Sequence, residues 1–291
     1  MMPEITGCTQ LICLLGSPVA HSVSPLMHNA SFEALDLPYR YLCFDVTEVK
    51  MKEAVDALRL FHARGFNCTM PVKTVMAELA DELSPAARLM GAINTVVIEN
   101  DRLIGHNTDG IGYMQSVQEA GFSILGKKMT LLGAGGAATA ICVQAALDGL
   151  AEIEVFSRPG ERFRKMEELS KKLEKESGCR ILVKELSDKK ELEKSLADSA
   201  ILTNATSVGM APHEETCPLP EDIVLPSHLI VSDIIYNPRQ TRLLKLAEHH
   251  GCSYFNGMYM LLYQGAAAFE LWTGRKMPVE EIKRRYFSVE G

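Results

Sequence analysis

Apolar and polar positions change rhythm along the chain, and each rhythm predicts an element. The continuous apolar run LICLLG at 11–16 predicts a buried strand. Residues 24–35, SPLMHNASFEAL, predict a helix with Ser24 at the N-cap and Pro25 at the first helical position. Over 39–46 the alternation predicts a strand with Tyr39, Tyr41, Cys43 and Asp45 on one face. Residues 51–65 carry apolar residues at helical spacing and predict an amphipathic helix that closes at Gly65. Phe66, Cys68, Met70 and Val72 then alternate like a strand entering a core; Pro71 interrupts them, and Lys73 opens a helix. Residues 93–107 predict a hairpin turning at Asn100 and Asp101. Alternating strands and helices imply an α/β layer with a mostly parallel sheet.

A second unit is expected from residue 109. It opens with a helix, then a strand over 129–132, a glycine turn, and a helix that closes at Gly149. A strand over 151–158 leads into a highly charged helix over 161–178, with Phe163, Met166, Leu169 and Leu173 along one side. The charges on that helix are mixed in sign, which marks a solvated face rather than a binding patch. Two further apolar strands fall within 199–210 and 228–238, and the tail at 254–274 predicts a long apolar helix. No repeat or flexible linker separates the units, so a short hinge is expected between them.

Composition narrows the class. The chain has 291 residues, 47% hydrophobic and 23% charged, which suits two globular domains and excludes disordered and fibrous classes. A net charge of −7 argues against nucleic acid as a partner. No apolar run reaches the roughly 18 residues of a membrane span. No Lys or Arg precedes Arg40, so the basic flank of a signal peptide is missing. Eight cysteines without a Cys-x-x-Cys pair read as reduced thiols, and the expected location is cytoplasmic. His21 and His28 are too widely spaced for a helical metal pair and no Cys/His cluster joins them; no metal is expected. The residues do not fix the oligomeric state, and a homodimer is left open.

The glycine turn carries the first chemistry. Gly133, Gly135 and Ala138 fit G-x-G-x-x-A after a strand and before a helix, the context a dinucleotide fingerprint needs. Gly133 permits the tight turn, Gly135 lets a diphosphate approach the backbone, and the helix N-terminus offers N–H groups to the anion. At the end of the next strand, where an acidic residue would bind the 2′-hydroxyl of NAD, the chain reads Ser157-Arg158-Pro159-Gly160. A guanidinium and a hydroxyl suit a 2′-phosphate. NADP is therefore the expected cofactor, with NAD as the alternative should Pro159-Gly160 turn Glu161 back toward the site.

The first unit offers polar side chains at strand ends and helix starts, where α/β ligand sites form. Ser22 and Ser24 frame a helix start suited to a carboxylate. Asn67, Thr69, Lys73, Asn94, Thr95, Asn107, Thr108 and Asp109 add donors and acceptors suited to a polyhydroxylated ligand. Singly, each Asn or Thr is more often a turn or capping residue, and Asp109 could cap the helix from 110; together they describe a polyhydroxylated ligand.

The segments GSPVAHSVSPLMHN, NCTMPVK, GAINTVV, GHNTDGIG, GAGGAATA, NATSVGM, DIIYNP and GMYMLLYQGA occur in one order from residue 16 to residue 266. In that order they resemble the successive motifs of the shikimate dehydrogenase family, most like its quinate/shikimate branch. The resemblance implies an N-terminal α/β substrate domain over 1–108, a Rossmann-type dinucleotide-binding domain over 109–243, and C-terminal helices over 244–291 returning to the first domain. It implies reversible NAD(P)-dependent reduction of 3-dehydroshikimate to shikimate, with quinate as a further substrate. By the same resemblance, Lys73 is expected to be the catalytic group and Asp109 its partner. Ser22 and Ser24 hold the substrate carboxylate, and Thr69, Asn94, Asp109 and Gln264 hold ring hydroxyls. The cofactor runs along Gly133, Ala134, Gly135, Gly136 and Ala137, beside Ser157 and Arg158, and near Ser207, Ile234, Tyr236 and Gly257. Ser157 and Gly160 depart from the Asn-Arg-Thr that follows the second strand in the family's NADP enzymes.

On this reading the cation at Lys73 has a purpose. Adding hydride to a ketone leaves an alkoxide that needs a proton, and a positioned acid–base group supplies about 10²–10⁴-fold. Two other readings stay open: a reductase of an aminated shikimate analogue, and a non-catalytic cofactor-binding protein.

Overall fold

The protein is described by a computed structural model that covers residues 4–287. The chain forms two α/β units: residues up to Thr108 together with those from Leu262 on, and Asp109–Leu261.

The first unit runs β1 (Gln10–Gly16), α1 (Ser24–Ala34), β2 (Tyr39–Asp45), α2 (Met51–Leu60), β3 (Gly65–Cys68), α3 (Lys73–Leu79), β4 (Glu82–Leu83), α4 (Pro85–Met90), β5 (Thr95–Glu99) and β6 (Arg102–His106). Its sheet has the order β2-β1-β3-β5-β6-β4. The strands β1, β2 and β3 are parallel, as their βαβ crossovers require, whereas β5 runs antiparallel to both β3 and β6. The β5–β6 hairpin turns through Asn100 and Asp101, both at positive φ, the geometry of a tight two-residue turn. The apolar run of β1 is buried because helices or strands cover it on every side: Ile12, Cys13 and Leu15 are at most 1% exposed. Cys13, Leu15, Phe66, Val72, Met76, Ile93 and Val96 share one core with Val55 and Leu58 of α2.

Three expectations change here. The helix from 51 ends at Leu60, not at Gly65, and Gly65 belongs to β3. The reason is tertiary: a Cβ on Gly65 would collide with the Val96 carbonyl and stand 2.6 Å from Trp272 Nε1. That glycine serves a close approach rather than a helix end. Strand β3 stops at Cys68, and Met70, read as core-facing, is 75% exposed beside the cis Met70–Pro71 bond. Helix α1 starts at Ser24 with Val23 at its N-cap and no side-chain cap, so Ser24 is not the capping residue.

The second unit runs α5 (Asp109–Glu119), β7 (Lys128–Leu132), α6 (Gly136–Leu147), β8 (Glu152–Ser157), α7 (Glu161–Ser177), β9 (Arg180–Glu185), α8 (Lys189–Asp198), β10 (Ile201–Asn204), β11 (Ile230–Asp233), α9 (Arg242–His249) and β12 (Ser253–Phe255). All six strands are parallel in the order β12-β11-β10-β7-β8-β9. This is the doubly wound arrangement, with its switch point between β7 and β10, where ligand crevices form at carboxyl ends. Helices α5 and α6 pack so closely that a Cβ on Gly110 would meet the Ala140 carbonyl and lie 2.5 Å from Gln144 Cβ.

The second unit continues past residue 243. α9 and β12 complete the second unit, because β12 pairs with β11 and fills the sixth position of its sheet. The long apolar tail helix is α10 (Met258–Thr273); it starts a few residues later than expected because β12 takes Ser253–Phe255, it joins the first unit from Leu262, and α11 (Val279–Ile282) follows. Trp272 Nε1 donates to the Val96 carbonyl at 2.9 Å, and Arg64 Nε donates to the Trp272 carbonyl at 2.7 Å, fixing the returning helix to the first sheet. Among the described residues no helix is long and apolar enough to cross a membrane.

Candidate active site

In the first unit the expected ligand residues gather at the carboxyl ends of β1, β3 and β6 and the amino end of β5. Ser22 and Ser24 are both half-buried, and the Ser24 N–H donates to Ser22 Oγ at 3.3 Å. Ser22 thus satisfies the backbone at the helix start. Ser24 bears instead on Tyr41. Burial pushes the Tyr41 phenol well above its ordinary value, and a hydrogen bond with Ser24 offsets part of that. The Tyr41 hydroxyl donates to Asn67 Oδ1 at 2.7 Å, and Asn67 Nδ2 donates to the Asn94 carbonyl and to Thr95 Oγ1, both at 3.0 Å.

Asn94 is the hub of this network and is 2% exposed. Its Oδ1 accepts from the Thr108 N–H at 2.8 Å and from Thr95 Oγ1 at 3.0 Å. Its Nδ2 donates to Thr108 Oγ1 at 3.0 Å and to Gln264 Oε1 at 3.5 Å. Every polar atom of Asn94 is therefore engaged, which fixes both the loop at 107–108 and the side chain of Gln264. Thr69 follows β3 and packs on Gly16, where any Cβ would strike Thr69 Cγ2 and lie 2.9 Å from the Met70 carbonyl. Lys73 is the first residue of α3 and is half-buried. Its carbonyl accepts from the Ile93 N–H at 3.1 Å, which ties the start of α3 to the segment that carries Asn94. Burial pushes the thiol of Cys68 far up, and the Lys73 charge counteracts it, which places that ammonium within electrostatic reach of the β3 end. Tyr41, missed by the sequence reading, joins the network because β2 directs it inward; its strand alternation carries no hint of a polar partner.

In the second unit Asp109 is the first residue of α5 and half-buried. The glycine turn after β7 has the form a diphosphate requires. Gly133 has φ +110, and a Cβ there would lie 2.9 Å from Thr206 Cγ2. Beyond it the space opens. A Cβ on Gly136 would meet nothing within 4 Å, and one on Gly135 would meet only Arg162 Nη1 at 3.9 Å. Helix α6 has Gly135 at its N-cap and no side-chain cap, so its first turn presents backbone N–H groups to that opening, flanked by Ala134 and Ala137. These residues fit a dinucleotide diphosphate.

Ser157 ends β8 and is buried, and Arg158 beside it is exposed. Glu161 does not turn back: its carboxylate pairs with Lys165 on the surface of α7 at 2.7 Å. Glu161 thus does not take the 2′-hydroxyl position. Arg162 is an addition the sequence reading missed. A cation in the first turn of α7 opposes the helix dipole, which is the signal that could have marked it. Ser207 is exposed in the loop after β10, and Tyr236 is 44% exposed after β11. The Ile234 N–H donates to the Asn204 carbonyl at 3.1 Å. Gly257 abuts Ile234 so closely that a Cβ would overlap its carbonyl, and the Gly257 N–H donates to the Ile235 carbonyl at 3.1 Å.

A doubly wound sheet with an open, uncapped glycine turn, joined to a second α/β unit with a buried amide and hydroxyl network, defines the class of two-unit nicotinamide-dependent dehydrogenases. The family model described as the shikimate dehydrogenase substrate binding domain matches residues 14–96, and that described as the shikimate 5'-dehydrogenase C-terminal domain matches residues 257–285. A relative named shikimate dehydrogenase (NADP(+)), from Listeria monocytogenes, is 49% identical over 98% of both chains. The solved shikimate 5-dehydrogenase of Listeria monocytogenes in complex with shikimate and NAD is 48% identical over 98% of both chains, with a TM-score of 0.94. The quinate dehydrogenase of Corynebacterium glutamicum in complex with NAD is 27% identical, with a TM-score of 0.84, over 97% of this chain and 99% of that one. The chain belongs to the shikimate dehydrogenase family.

Proposed function

We propose that this protein interconverts 3-dehydroshikimate and shikimate with NADP, and with NAD as a second cofactor. The observation that carries this reading is the full-length likeness to a relative named for NADP(+) and to a structure that holds shikimate and NAD together. A bound nicotinamide ring supplies or accepts the hydride. The chain's own residues bind, orient and move the proton. In the reduction the Lys73 ammonium gives a proton to the oxygen that hydride addition leaves as an alkoxide; in the oxidation Lys73 takes it from the hydroxyl. The Asp109 carboxylate is its proposed partner, because a carboxylate favours the charged form of an ammonium. Ser22 and Ser24 are proposed to hold the substrate carboxylate, and Thr69, Asn94 and Gln264 its ring hydroxyls. The fixed network around Asn94 supports this, since pre-set donors and acceptors cost no reordering when ligand arrives.

For the cofactor, Gly133 to Ala137 are proposed to cradle the diphosphate and Ser157, Arg158 and Arg162 to receive a 2′-phosphate. Ser207, Ile234, Tyr236 and Gly257 are assigned to the nicotinamide half. The pairing of Glu161 with Lys165 supports NADP over NAD. Quinate is a second proposed substrate, favoured by the likeness to a quinate dehydrogenase. We place the reaction in the cytoplasm, in keeping with eight free thiols. Initial rates with shikimate and quinate, each with NADP and NAD, test the whole reading. Shikimate with NADP is expected to give the highest kcat/KM; no turnover in any of the four combinations would refute it.

A further inference from the structure

Two strand ends beside the switch point are latched together. Asn204 closes β10 and Asp233 closes β11, and the two stand opposite each other in the parallel register. Both are at most 1% exposed. Asp233 Oδ1 accepts from Asn204 Nδ2 at 3.1 Å and from the Ile235 N–H at 3.0 Å, while Oδ2 accepts from Thr241 Oγ1 at 2.8 Å. Three donors face this group; burial pushes its carboxyl up, and these three hydrogen bonds work against that shift by favouring the carboxylate. Asn204 in turn folds its own loop: its Oδ1 accepts from Thr206 Oγ1 at 2.7 Å and the Thr206 N–H at 3.1 Å, and its Nδ2 donates to the Val208 carbonyl at 3.3 Å. Thr206 is the residue against which Gly133 packs. One buried carboxylate thus organises both the loop that carries Ser207 and the loop that carries Ile234 and Tyr236.

We infer that Asp233 is a positioning residue for the dinucleotide: it sets the loops after β10 and β11 through Asn204, Ile235 and Thr241 without touching the cofactor. The inference rests on the proposed cofactor chemistry of those loops. Removing a charged acceptor from three buried donors leaves loops free to wander, and affinity falls because ordering them then opposes binding.

The test is calorimetric titration of the full chain with NADP, together with initial rates. Asp233→Asn is expected to raise the Kd for NADP about tenfold, the order expected for one charge-assisted hydrogen bond, while KM for shikimate stays near the wild-type value. Because that variant is at risk of misfolding, Thr241→Val and Thr241→Ser form a second arm. The valine should weaken NADP about threefold, and the serine, which restores the hydroxyl, should bind like wild type. Unchanged NADP affinity in both Asp233→Asn and Thr241→Val, or Thr241→Ser as weak as Thr241→Val, would overturn the inference. A wild-type chain that binds NADP yet turns over neither shikimate nor quinate overturns the proposed reaction and leaves this inference to the binding constants; one that binds no dinucleotide overturns both.

Discussion

Asn94 and Gln264 are 170 positions apart in the chain, yet Asn94 Nδ2 lies 3.5 Å from Gln264 Oε1 inside a buried network. The amide of Asn94 is saturated by Thr95, Thr108 and Gln264, so it orients all three toward the ends of the first sheet.

Asn94→Ala should therefore act on stability and binding together. It leaves the buried Thr108 N–H without its acceptor, at a cost of about 1–3 kcal/mol. Urea denaturation is expected to show that loss, and KM for shikimate to rise more than KM for NADP. Equal changes in the two KM values would remove Asn94 from the substrate side.

Lys73→Ala should lower kcat by about 10²–10⁴-fold, the range for a lost acid–base group. Lys73 lies at the start of α3 and is only half-buried, so the midpoint of thermal unfolding and the Kd for NADP should stay near wild type. Near-normal turnover would refute its role.

Arg158→Ala and Arg162→Ala should each weaken NADP more than NAD. The reason is charge: a 2′-phosphate is the only difference between the two ligands, and a guanidinium pairs with it strongly. About tenfold in Kd is expected for NADP and about twofold or less for NAD. Equal losses for both cofactors in both variants would end the argument for NADP.

His28 gives a pH dependence. It is fully buried in α1, its ring lies 4.5 Å from that of Tyr41, and neither nitrogen has a hydrogen-bond partner among the described residues. Burial lowers its pKa from 6.5 to about 3. The folded state thus resists a proton that the unfolded chain accepts below pH 6.5. The stability that neutral His28 permits is complete above pH 6.5 and is lost progressively as pH falls toward 3. At pH 5 the loss is about 2 kcal/mol. His28→Phe should flatten this part of the curve, so that wild type loses about 2 kcal/mol more than the variant between pH 8 and pH 5. Parallel urea-denaturation curves for the two proteins across that range would sink the claim.

Much of this was legible without coordinates. The run at 11–16, the hairpin at Asn100 and Asp101, and the glycine turn at Gly133 are local features. Each is fixed by burial on both faces, by a positive φ, or by a helix start within a few residues, and such causes leave a mark in the residues themselves. The family order of the motifs was equally plain. Gly65 was misread for the opposite reason: its helix-stop signal is genuine, but the Val96 carbonyl and the Trp272 indole, far away in sequence, decide its place. Ser24 was misread as the cap because the helix starts one residue earlier than the pattern implied, which puts Val23 at the N-cap and leaves the Ser24 N–H to Ser22 Oγ.

By itself, then, the sequence determined the α/β class, the dinucleotide turn and the kinds of side chain available for chemistry, because period, glycine placement and charge act over a turn or a strand. Only the tertiary structure decided which amide meets which hydroxyl, why Asp233 faces three donors, that Arg162 flanks Gly135, and where the second unit ends. Those outcomes depend on strand order and on contacts between distant segments, and a one-dimensional pattern carries no distances between them.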